Sequence, residues 1–203
     1  MYRNGVKRIL DVIFAGFLIP LLFPFCLAIA VWIKLDSKGP IVFRQKRIGI
    51  DDTTFDILKF RTMRADAPKD VPTHQLHDAD RWLTRAGRIL RRTSMDELPQ
   101  IWNILKGDMS FIGPRPALWN QDDLIALRKA NGANRVKPGL TGLAQVHGRD
   151  ILSVRDKARY DGVYAANVTF AMDCKCTWKT VIAIVTGRDV VEGSRDLPKH
   201  QKQ

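Results

Sequence analysis

A chain of 203 residues is long enough for one compact domain with an appendage, and it is too short for several domains. The formal net charge of +12 indicates an anionic partner, which could be nucleic acid, an acidic membrane surface or a phosphorylated small molecule. The three cysteines are an odd number in or near apolar segments, which argues against a disulfide framework and favours a reducing compartment.

The first predicted element is an apolar segment, residues 12–33, that contains no charged side chain. About 20 apolar residues in a helix cover the ~30 Å hydrocarbon core of a bilayer, so this segment is long enough to cross one. A cleaved signal peptide is disfavoured, because the apolar region is too long for one and contains two prolines. The sequence therefore predicts a membrane helix near the N-terminus.

Basic residues flank this segment on both sides, at Lys7 and Arg8 before it and at Lys34 and Lys38 after it. Because cytoplasmic flanks collect Lys and Arg, this distribution favours a helix whose two ends lie on the same side of the membrane. Pro20 and Pro24 lie near the middle, where each removes a backbone donor and can break the helix so that the chain turns back. A kinked helix that spans the membrane fits the composition equally well, and the residues alone leave both arrangements open.

After the membrane segment, residues 40–45 and 54–60 flank a turn at 49–52 and predict a β-hairpin. Residues 64–77 have little periodicity and predict a loop. Residues 78–92 predict a basic amphipathic helix that could lie on an anionic surface.

The second half of the chain predicts further helices. Leu98, Ile101, Trp102 and Leu105 recur at helical spacing, which predicts a helix that packs all four side chains inward and ends near Gly107. Later segments predict helices at 117–130 and 173–186, a short strand at 143–146 and a polar, disordered tail at 192–203. The last helix could rest at a membrane interface or close the core.

Two adjacent carboxylates, Asp96 and Glu97, follow Arg91 and Arg92 at a predicted helix start. One interpretation is structural, because Ser94 and Glu97 have the spacing of a capping box. The other is chemical: the free amides and dipole of a helix start lower the pKa of a carboxylate and attract phosphate, so an ionised Asp96 could attack phosphorus. Neighbouring helical residues point about 100° apart, so the two carboxylates should have different roles.

Attack of a carboxylate on a diphosphate requires charge neutralisation, for which Mg²⁺ and arginine are the usual means. Arg115 lies between two prolines and loses little backbone freedom on binding a phosphate. Lys59 and Arg61 alternate about Phe60 on a predicted strand and should point to one face. The phosphate-binding candidates are Arg115, Lys59, Arg61, Arg91 and Arg92. A rigid turn with a solvated side chain is an equal alternative for Arg115, and a solvated strand face is the plainer alternative for Lys59 and Arg61.

Six segments, in register over most of the chain, resemble the small monotopic phosphoglycosyl transferases of the bacterial sugar transferase family. The segments are Lys7-Arg8-Ile9-x-Asp11, Gly39-Pro-Ile-Val-Phe-x-Gln45, Lys59-Phe-Arg-Thr-Met63, Arg92-Thr-Ser-x-Asp-Glu-Leu-Pro-Gln100, Asn103-Ile-Leu-Lys-Gly-Asp-Met-Ser-Phe-Ile-Gly-Pro-Arg-Pro116 and Pro138-Gly-Leu-Thr-Gly-x-Ala-Gln-Val146. No single segment would be specific, but the ordered set is.

The resemblance implies an α+β, mainly helical fold. Its parts would be a re-entrant membrane helix broken at a proline (residues 1–36), a catalytic domain with a small β-hairpin and interfacial helices on the cytoplasmic face of the bacterial inner membrane (37–190), and a polar tail (191–203). It further implies that Asp96, assisted by Glu97 and with Mg²⁺ at Asp96, attacks the β-phosphate of a UDP-sugar and releases UMP. The phosphosugar would then pass to undecaprenyl phosphate, as the first membrane step of capsule, exopolysaccharide, O-antigen or glycoprotein glycan assembly.

The partners expected from this resemblance are a UDP-sugar, undecaprenyl phosphate and the lipid bilayer, and a homodimer is held as a further hypothesis. A nucleic-acid-binding module is not expected, because such modules interleave aromatic and basic residues and need no long apolar segment. A noncatalytic membrane scaffold is the other alternative, against which the intact Asp96-Glu97-x-x-Gln100 segment argues.

Two positions depart from the family pattern. The family's usual Ser-Pro pair at the helix break is Phe23-Pro24 here, with Pro20 in addition, and its usual Gln-Val-Asn-Gly is Gln145-Val-His-Gly148. The sequence does not reveal which sugar is used.

Overall fold

The computed structural model describes residues 2–68, 79–148 and 151–186. After a π-helical turn at Tyr2–Val6, the α-helices are α1 (Lys7–Asp36), α2 (Ala79–Trp82), α3 (Arg85–Arg92), α4 (Gln100–Lys106), α5 (Asp122–Asn131), α6 (Val154–Ala166) and α7 (Phe170–Thr186). The strands are β1 (Val42–Ile48), β2 (Thr54–Phe60), β3 (Ser110–Ile112) and β4 (Gly139–Thr141). The predicted mainly helical fold with a small hairpin is confirmed. The predicted tail lies outside the described residues, as does most of the predicted 64–77 loop.

Helix α1 is long and apolar enough to cross a membrane. Its outward face exposes large apolar side chains along the whole length, among them Phe17, Phe23 and Leu35. The backbone is helical from Lys7 to Asp36 and includes both Pro20 and Pro24. The predicted interruption at these prolines is therefore not seen, because the turns on either side continue the helix although each proline lacks an N–H donor.

The inward face of α1 packs against the rest of the protein in two places. Ala15 belongs to one apolar cluster with Ile57 and Ile104, and Leu18, Ile19 and Leu22 pack against that cluster. Nearer the C-terminal end, Ile29 and Ile33 form a second cluster with Phe60 and Leu90. The helix is thus attached to the domain along its length and not only through its ends.

Polar contacts hold both ends of α1. Near the N-terminal end, the Lys7 ammonium pairs with Asp173 of α7, and the Arg8 guanidinium donates to the carbonyl oxygens of Ile104 and Leu105 at 2.6 and 2.7 Å. Both carbonyls belong to the last turn of α4, and Ile104 O also accepts from Gly107 N at 3.1 Å. At the C-terminal end, Asp36 Oδ2 accepts from the amide of Ala86 at 3.0 Å. Both ends are therefore anchored to the same domain.

The predicted hairpin is confirmed as the antiparallel pair β1 and β2, with Val42 opposite Phe60 and Ile48 opposite Thr54. A second, parallel pair, β3 and β4, was not predicted. The predicted strand at 143–146 is wrong, since β4 lies at Gly139–Thr141 and Gln145–His147 form a 3-10 turn. The glycine content of this stretch hid the strand from a search for apolar alternation.

Two helix predictions need correction. The predicted helix at 78–92 is divided, because Leu83 bridges to Met63 and the Thr84 hydroxyl accepts from Gly87 N at 2.9 Å to begin α3. In α4, Ile101 is buried as predicted, but Trp102 points outward with more than half of its surface exposed. The helix ends at Gly107 as predicted, with φ at 105° in the left-handed region that suits glycine.

The domain core on the far side of β3 centres on Tyr164 of α6. Its ring lies in an apolar cluster with Ile112, Leu143 and Cys176, and its hydroxyl lies 3.0 Å from the carbonyl oxygen of Ile112 and 2.7 Å from Asp173 Oδ1. This core supports the β3–β4 pair. The loop that follows β3 carries Arg115.

Candidate active site

The Asp96–Glu97 pair lies in a 3-10 turn, Met95–Glu97, between α3 and α4. Ser94 has a φ of 56°, in the left-handed region, which reverses the chain after α3 and directs both carboxylates inward. Each residue retains only 7% of its surface exposed. The pair therefore sits in a low-dielectric environment, where charges interact strongly.

The capping interpretation of this segment is not confirmed. The Ser94 side chain makes no capping hydrogen bond, and the Glu97 carboxylate contacts Lys59 and Arg115. Glu97 is thus used to organise cations and not to close a capping box.

Lys59 and Arg115 meet at one oxygen of Glu97. The Lys59 ammonium donates to Glu97 Oε1 at 2.8 Å, and Arg115 Nη2 donates to the same atom at 2.9 Å. Lys59 Nζ also lies 3.8 Å from Asp96 Oδ2. Two of the predicted cations are therefore brought together with both predicted carboxylates.

Strand β2 presents Lys59 to the carboxylates because α4 holds the strand in place. The buried Asn103 side chain accepts from Leu58 N at 2.9 Å and donates to Asp56 O at 2.8 Å, so it satisfies the edge of β2 as a neighbouring strand would. Asn103 also donates to Asp108 Oδ2 at 3.1 Å. A single residue of α4 thus fixes the strand one position before Lys59.

Close glycine contacts hold the loop that carries Arg115. A Cβ on Gly113 would lie 2.4 Å from Lys137 O, and a Cβ on Gly142 would lie 2.0 Å from Gly113 O. Pro114 O accepts from Gly139 N at 2.8 Å, and Pro116 O accepts from Arg47 at 3.0 Å. Side chains at these glycines would push the strands apart, so their absence allows the rigid turn to aim Arg115 at Glu97.

The other predicted cations take different positions. Arg91 Nε donates to Thr62 Oγ1 at 2.9 Å, and its charge acts on Asp96. Arg92 is exposed at the end of α3. The prediction that Arg61 shares a face with Lys59 is wrong. Strand β2 ends at Phe60, and the Arg61 guanidinium turns onto the end of α1. There it donates to Lys38 O at 2.6 Å and to Ser37 O at 2.7 Å.

Burial controls the protonation of the pair. It raises the pKa of Asp96 above the ordinary aspartate value, while the positive charges of Lys59, Arg91 and Arg115 oppose that rise and Glu97 adds to it. Burial likewise lowers the pKa of Lys59. The predicted lowering of the Asp96 pKa by a helix start is therefore wrong, since desolvation outweighs the nearby positive charges.

Sequence reasoning missed two buried amides beside the pair, Asn103 and Gln100. Both belong to segments that resemble the family, but neither is charged, and no role was assigned to either side chain. The spacing of 96, 100 and 103 along one helical face was the available indication.

His147, which departs from the family pattern, stacks on Tyr160 with ring centroids 4.7 Å apart. Its Nδ1 lies 2.7 Å from Leu143 O and its Nε2 lies 3.1 Å from Lys179 Nζ. The side chain thus joins the Gln145–His147 turn to α6 and α7.

Comparison with known proteins shows the family to which this chain belongs. The family model described as bacterial sugar transferase matches residues 2–187, which include the whole site. The chain belongs to the bacterial sugar transferase family. It is therefore a transferase, and its relatives are phosphoglycosyl transferases.

Three relatives show how this family member compares with others. A UDP-glucose:undecaprenyl-phosphate glucose-1-phosphate transferase of Caulobacter vibrioides is 44% identical over 189 residues, covering 89% of this chain and 70% of the relative. A UDP-N-acetylgalactosamine-undecaprenyl-phosphate N-acetylgalactosaminephosphotransferase of Aeromonas hydrophila is 40% identical, covering 90% of this chain and 44% of the relative. An exopolysaccharide production protein of Rhizobium leguminosarum bv. phaseoli is 36% identical, covering 89% of this chain and 96% of the relative.

Proposed function

We propose that this sugar transferase moves a sugar 1-phosphate from a UDP-sugar to undecaprenyl phosphate through a covalent intermediate on Asp96. The observation that carries the proposal is the buried Asp96–Glu97 pair, whose two cations both bond to Glu97. The Lys59 ammonium lies 3.8 Å from Asp96 Oδ2, farther than from Glu97. Asp96 is therefore the carboxylate available for attack. The reaction would be the first membrane step of glycoconjugate assembly.

In the first step, an ionised oxygen of Asp96 forms a bond to the β-phosphorus of the UDP-sugar. The bond from that phosphorus to the oxygen bridging the two phosphates breaks, and UMP leaves with the bridging oxygen and its electron pair. In the second step, a phosphate oxygen of undecaprenyl phosphate attacks the same phosphorus. The bond to Asp96 then breaks and the carboxylate is restored.

Charge neutralisation falls to the cations around the pair. Attack brings an anionic carboxylate toward an anionic diphosphate, so positive groups must be in place before the reaction. Lys59 and Arg115 are already held by Glu97, and Arg91 is held by Thr62. Because these cations need little rearrangement, the site is organised for developing negative charge.

Asp96 also fits the expected Mg²⁺. Magnesium is commonly bound by one or two carboxylates together with substrate phosphates, so a cluster of three acidic side chains is not required. Asp96 provides such a carboxylate, whereas Glu97 Oε1 is already engaged by two cations. When bound, Mg²⁺ would supply charge neutralisation at the diphosphate.

The proposal includes a membrane location, with α1 as a re-entrant helix and the domain on the cytoplasmic face of the inner membrane. A straight helix of 30 residues is ~45 Å long, which exceeds the ~30 Å hydrocarbon core. Both ends of α1 bond to the same domain, through Arg8 and Asp36, which supports an arrangement with both ends on one side. Bending near Pro20 and Pro24 within the continuous helix would allow the middle to enter the lipid.

A UMP-release assay tests the proposed function. Membranes containing the protein are incubated with a panel of UDP-sugars, with and without undecaprenyl phosphate, and UMP is measured. We expect sustained release with one or a few UDP-sugars only when the lipid is present. A noncatalytic scaffold would release no UMP with any member of the panel.

A further inference from the structure

The Gln100 side chain is buried without a hydrogen-bond partner. It retains 1% of its surface, and within the described ranges neither its Nε2 nor its Oε1 contacts a donor or acceptor. Buried amides in folded proteins are nearly always bonded, because burial removes the water that would otherwise satisfy them. An amide with both ends unpaired therefore requires an explanation.

Gln100 follows Asp96 by four residues, about one helical turn along the chain. It is the first residue of α4, one turn after the Asp96–Glu97 pair, and the backbone between them stays right-handed helical at Leu98 and Pro99. The preceding turn contacts β2 through Lys59, and Asn103 in the next turn contacts β2 at Asp56 and Leu58. Gln100 is thus on the stretch of helix between two contacts with β2, one turn from Asp96 in sequence.

Asn103 provides a comparison on the same helix. It too is a buried amide, with 2% of its surface exposed, but it makes three hydrogen bonds within the protein. Its role in holding β2 accounts for its burial. The Gln100 side chain has no such bond to any residue that the structure describes, so the same explanation does not apply to it.

We propose that the Gln100 carboxamide binds the sugar of the transferred sugar phosphate. This inference rests on the proposed function. In phosphoryl transfer the attacking and leaving oxygens are roughly in line, so UMP leaves on the side of the phosphorus away from Asp96. A side chain next to Asp96 therefore lies nearer the part that remains bound, which is the phosphate and its sugar.

Because the carboxamide is uncharged, the sugar is a better partner for it than the phosphate. Phosphate oxygens have Lys59, Arg91 and Arg115 as charged partners around Asp96. A carboxamide offers one donor group and one acceptor, which matches the hydroxyl and acetamido groups of a hexose. Asp96 is itself more than nine-tenths buried, so the proposal requires that the opening by which the phosphate reaches Asp96 also expose Gln100.

The first test compares the stability of two matched variants, Gln100→Leu and Asn103→Leu. Removing an unpaired buried amide takes away an unfavourable burial, so Gln100→Leu should keep or raise Tm. Asn103→Leu breaks three bonds and should lower Tm by several degrees. A comparable fall in Tm for Gln100→Leu would overturn the inference by showing a structural role. Gln100→Met serves as the second variant if the branched side chain does not fit.

The second test separates sugar from nucleotide binding. Binding of the most active UDP-sugar of the panel and of UMP is measured in the Asp96→Asn background, where no adduct should form. Adding Gln100→Leu should weaken UDP-sugar binding roughly five- to tenfold, the effect of one neutral hydrogen bond, and leave UMP binding unchanged. Equal weakening of both ligands, or of neither, would overturn the assignment to the sugar.

Failure of this inference is distinct from failure of the proposed function. If the wild-type protein releases no UMP from any UDP-sugar, the proposed function itself fails. If it does release UMP, and Gln100→Leu has the wild-type KM for the UDP-sugar, only the role of Gln100 is lost.

Discussion

Lys59 and Glu97 form an ion pair in the site, with Lys59 Nζ 2.8 Å from Glu97 Oε1. Arg115 bonds to that same oxygen, so Glu97 gathers the two cations while Asp96 lies 3.8 Å from the Lys59 ammonium. The two adjacent carboxylates therefore have different surroundings. Glu97 organises positive charge, and Asp96 carries the chemistry that we propose.

Replacing Asp96 by Asn should stabilise the fold at neutral pH. Burial raises the pKa of Asp96 in the folded protein, so the folded state favours the protonated form more than the unfolded state does. The stability this provides is fully present below the ordinary pKa near 3.8 and is lost as pH rises through the raised pKa. At pH values above the raised pKa, burial of the ionised Asp96 carboxylate destabilises the folded state. Asn at this position carries no charge, so the variant does not have this destabilisation.

Thermal unfolding of wild-type and Asp96→Asn protein at several pH values measures this difference. Tm of the variant should exceed that of the wild type at neutral pH, and the gap should narrow as the pH falls toward 4. A variant that is less stable than the wild type at neutral pH would show that the Asp96 charge stabilises the fold, contrary to this account.

The pH dependence of adduct formation should be bell-shaped. Asp96 attacks only when ionised, so the rate should fall as the pH drops through its raised pKa, which lies above 3.8. Lys59 neutralises charge only when protonated, so the rate should also fall as the pH rises through its pKa, which burial lowers below 10.5. Single-turnover UMP release across the pH range, without lipid, measures both limbs. If the rate on the acid side falls only at pH 3.8 or below, the pKa of Asp96 is not raised, which would contradict the burial of this carboxylate.

Substituting Arg115 by Ala should slow UMP release by about 10²- to 10³-fold, the usual effect of losing one donor that stabilises developing charge. Arg115→Lys should recover part of the rate, because lysine keeps the charge but lacks the planar fork. Initial rates at saturating UDP-sugar provide the measurement. Full activity in Arg115→Ala would show that Arg115 takes no part in the chemistry of the site.

Arg61→Met should destabilise the protein without changing its affinity for substrate. The Arg61 guanidinium donates to backbone carbonyls at the end of α1, and hydrogen bonds with a charged partner are worth about 2 kcal/mol each. The expected result is a lower Tm in detergent and an unchanged KM for the UDP-sugar. A raised KM with an unchanged Tm would restore the prediction, made from strand alternation, that Arg61 binds phosphate.

Cysteine labelling should place both ends of α1 on the cytoplasmic side. In a protein lacking its native cysteines, Gly5→Cys and Lys38→Cys provide one site before and one after the helix, and Gly5 has open space for a side chain. A membrane-impermeant maleimide should modify both sites in inverted vesicles and neither in intact spheroplasts. Opposite accessibility of the two sites would establish a spanning helix and exclude the re-entrant arrangement.

Local patterns predicted much of this molecule. The hairpin β1–β2 followed from apolar alternation around a turn, and the end of α4 at Gly107 followed from helical spacing. Long-range contacts were harder to predict. The β3–β4 pair joins segments about 30 residues apart, with Ser110 opposite Gly139, and its glycines hide the alternation that marks a strand.

The site shows the same division. Motif position indicated Asp96, Glu97, Lys59 and Arg115, which the structure brings together. The pKa shift of Asp96 was predicted in the wrong direction. The prediction considered the helix start but not the burial, which only tertiary packing creates. Arg61 was misplaced because strand alternation was extended one residue beyond the end of β2.

The intact mass of the protein after incubation with a UDP-sugar, without lipid, shows whether Asp96 forms the covalent intermediate. The sugar found active in the UMP-release panel is used with purified wild-type and Asp96→Asn protein, and folding of the variant is verified by thermal unfolding. We expect a mass increase equal to one sugar phosphate in the wild type and no increase in Asp96→Asn. An adduct of the same mass in folded Asp96→Asn would contradict this expectation.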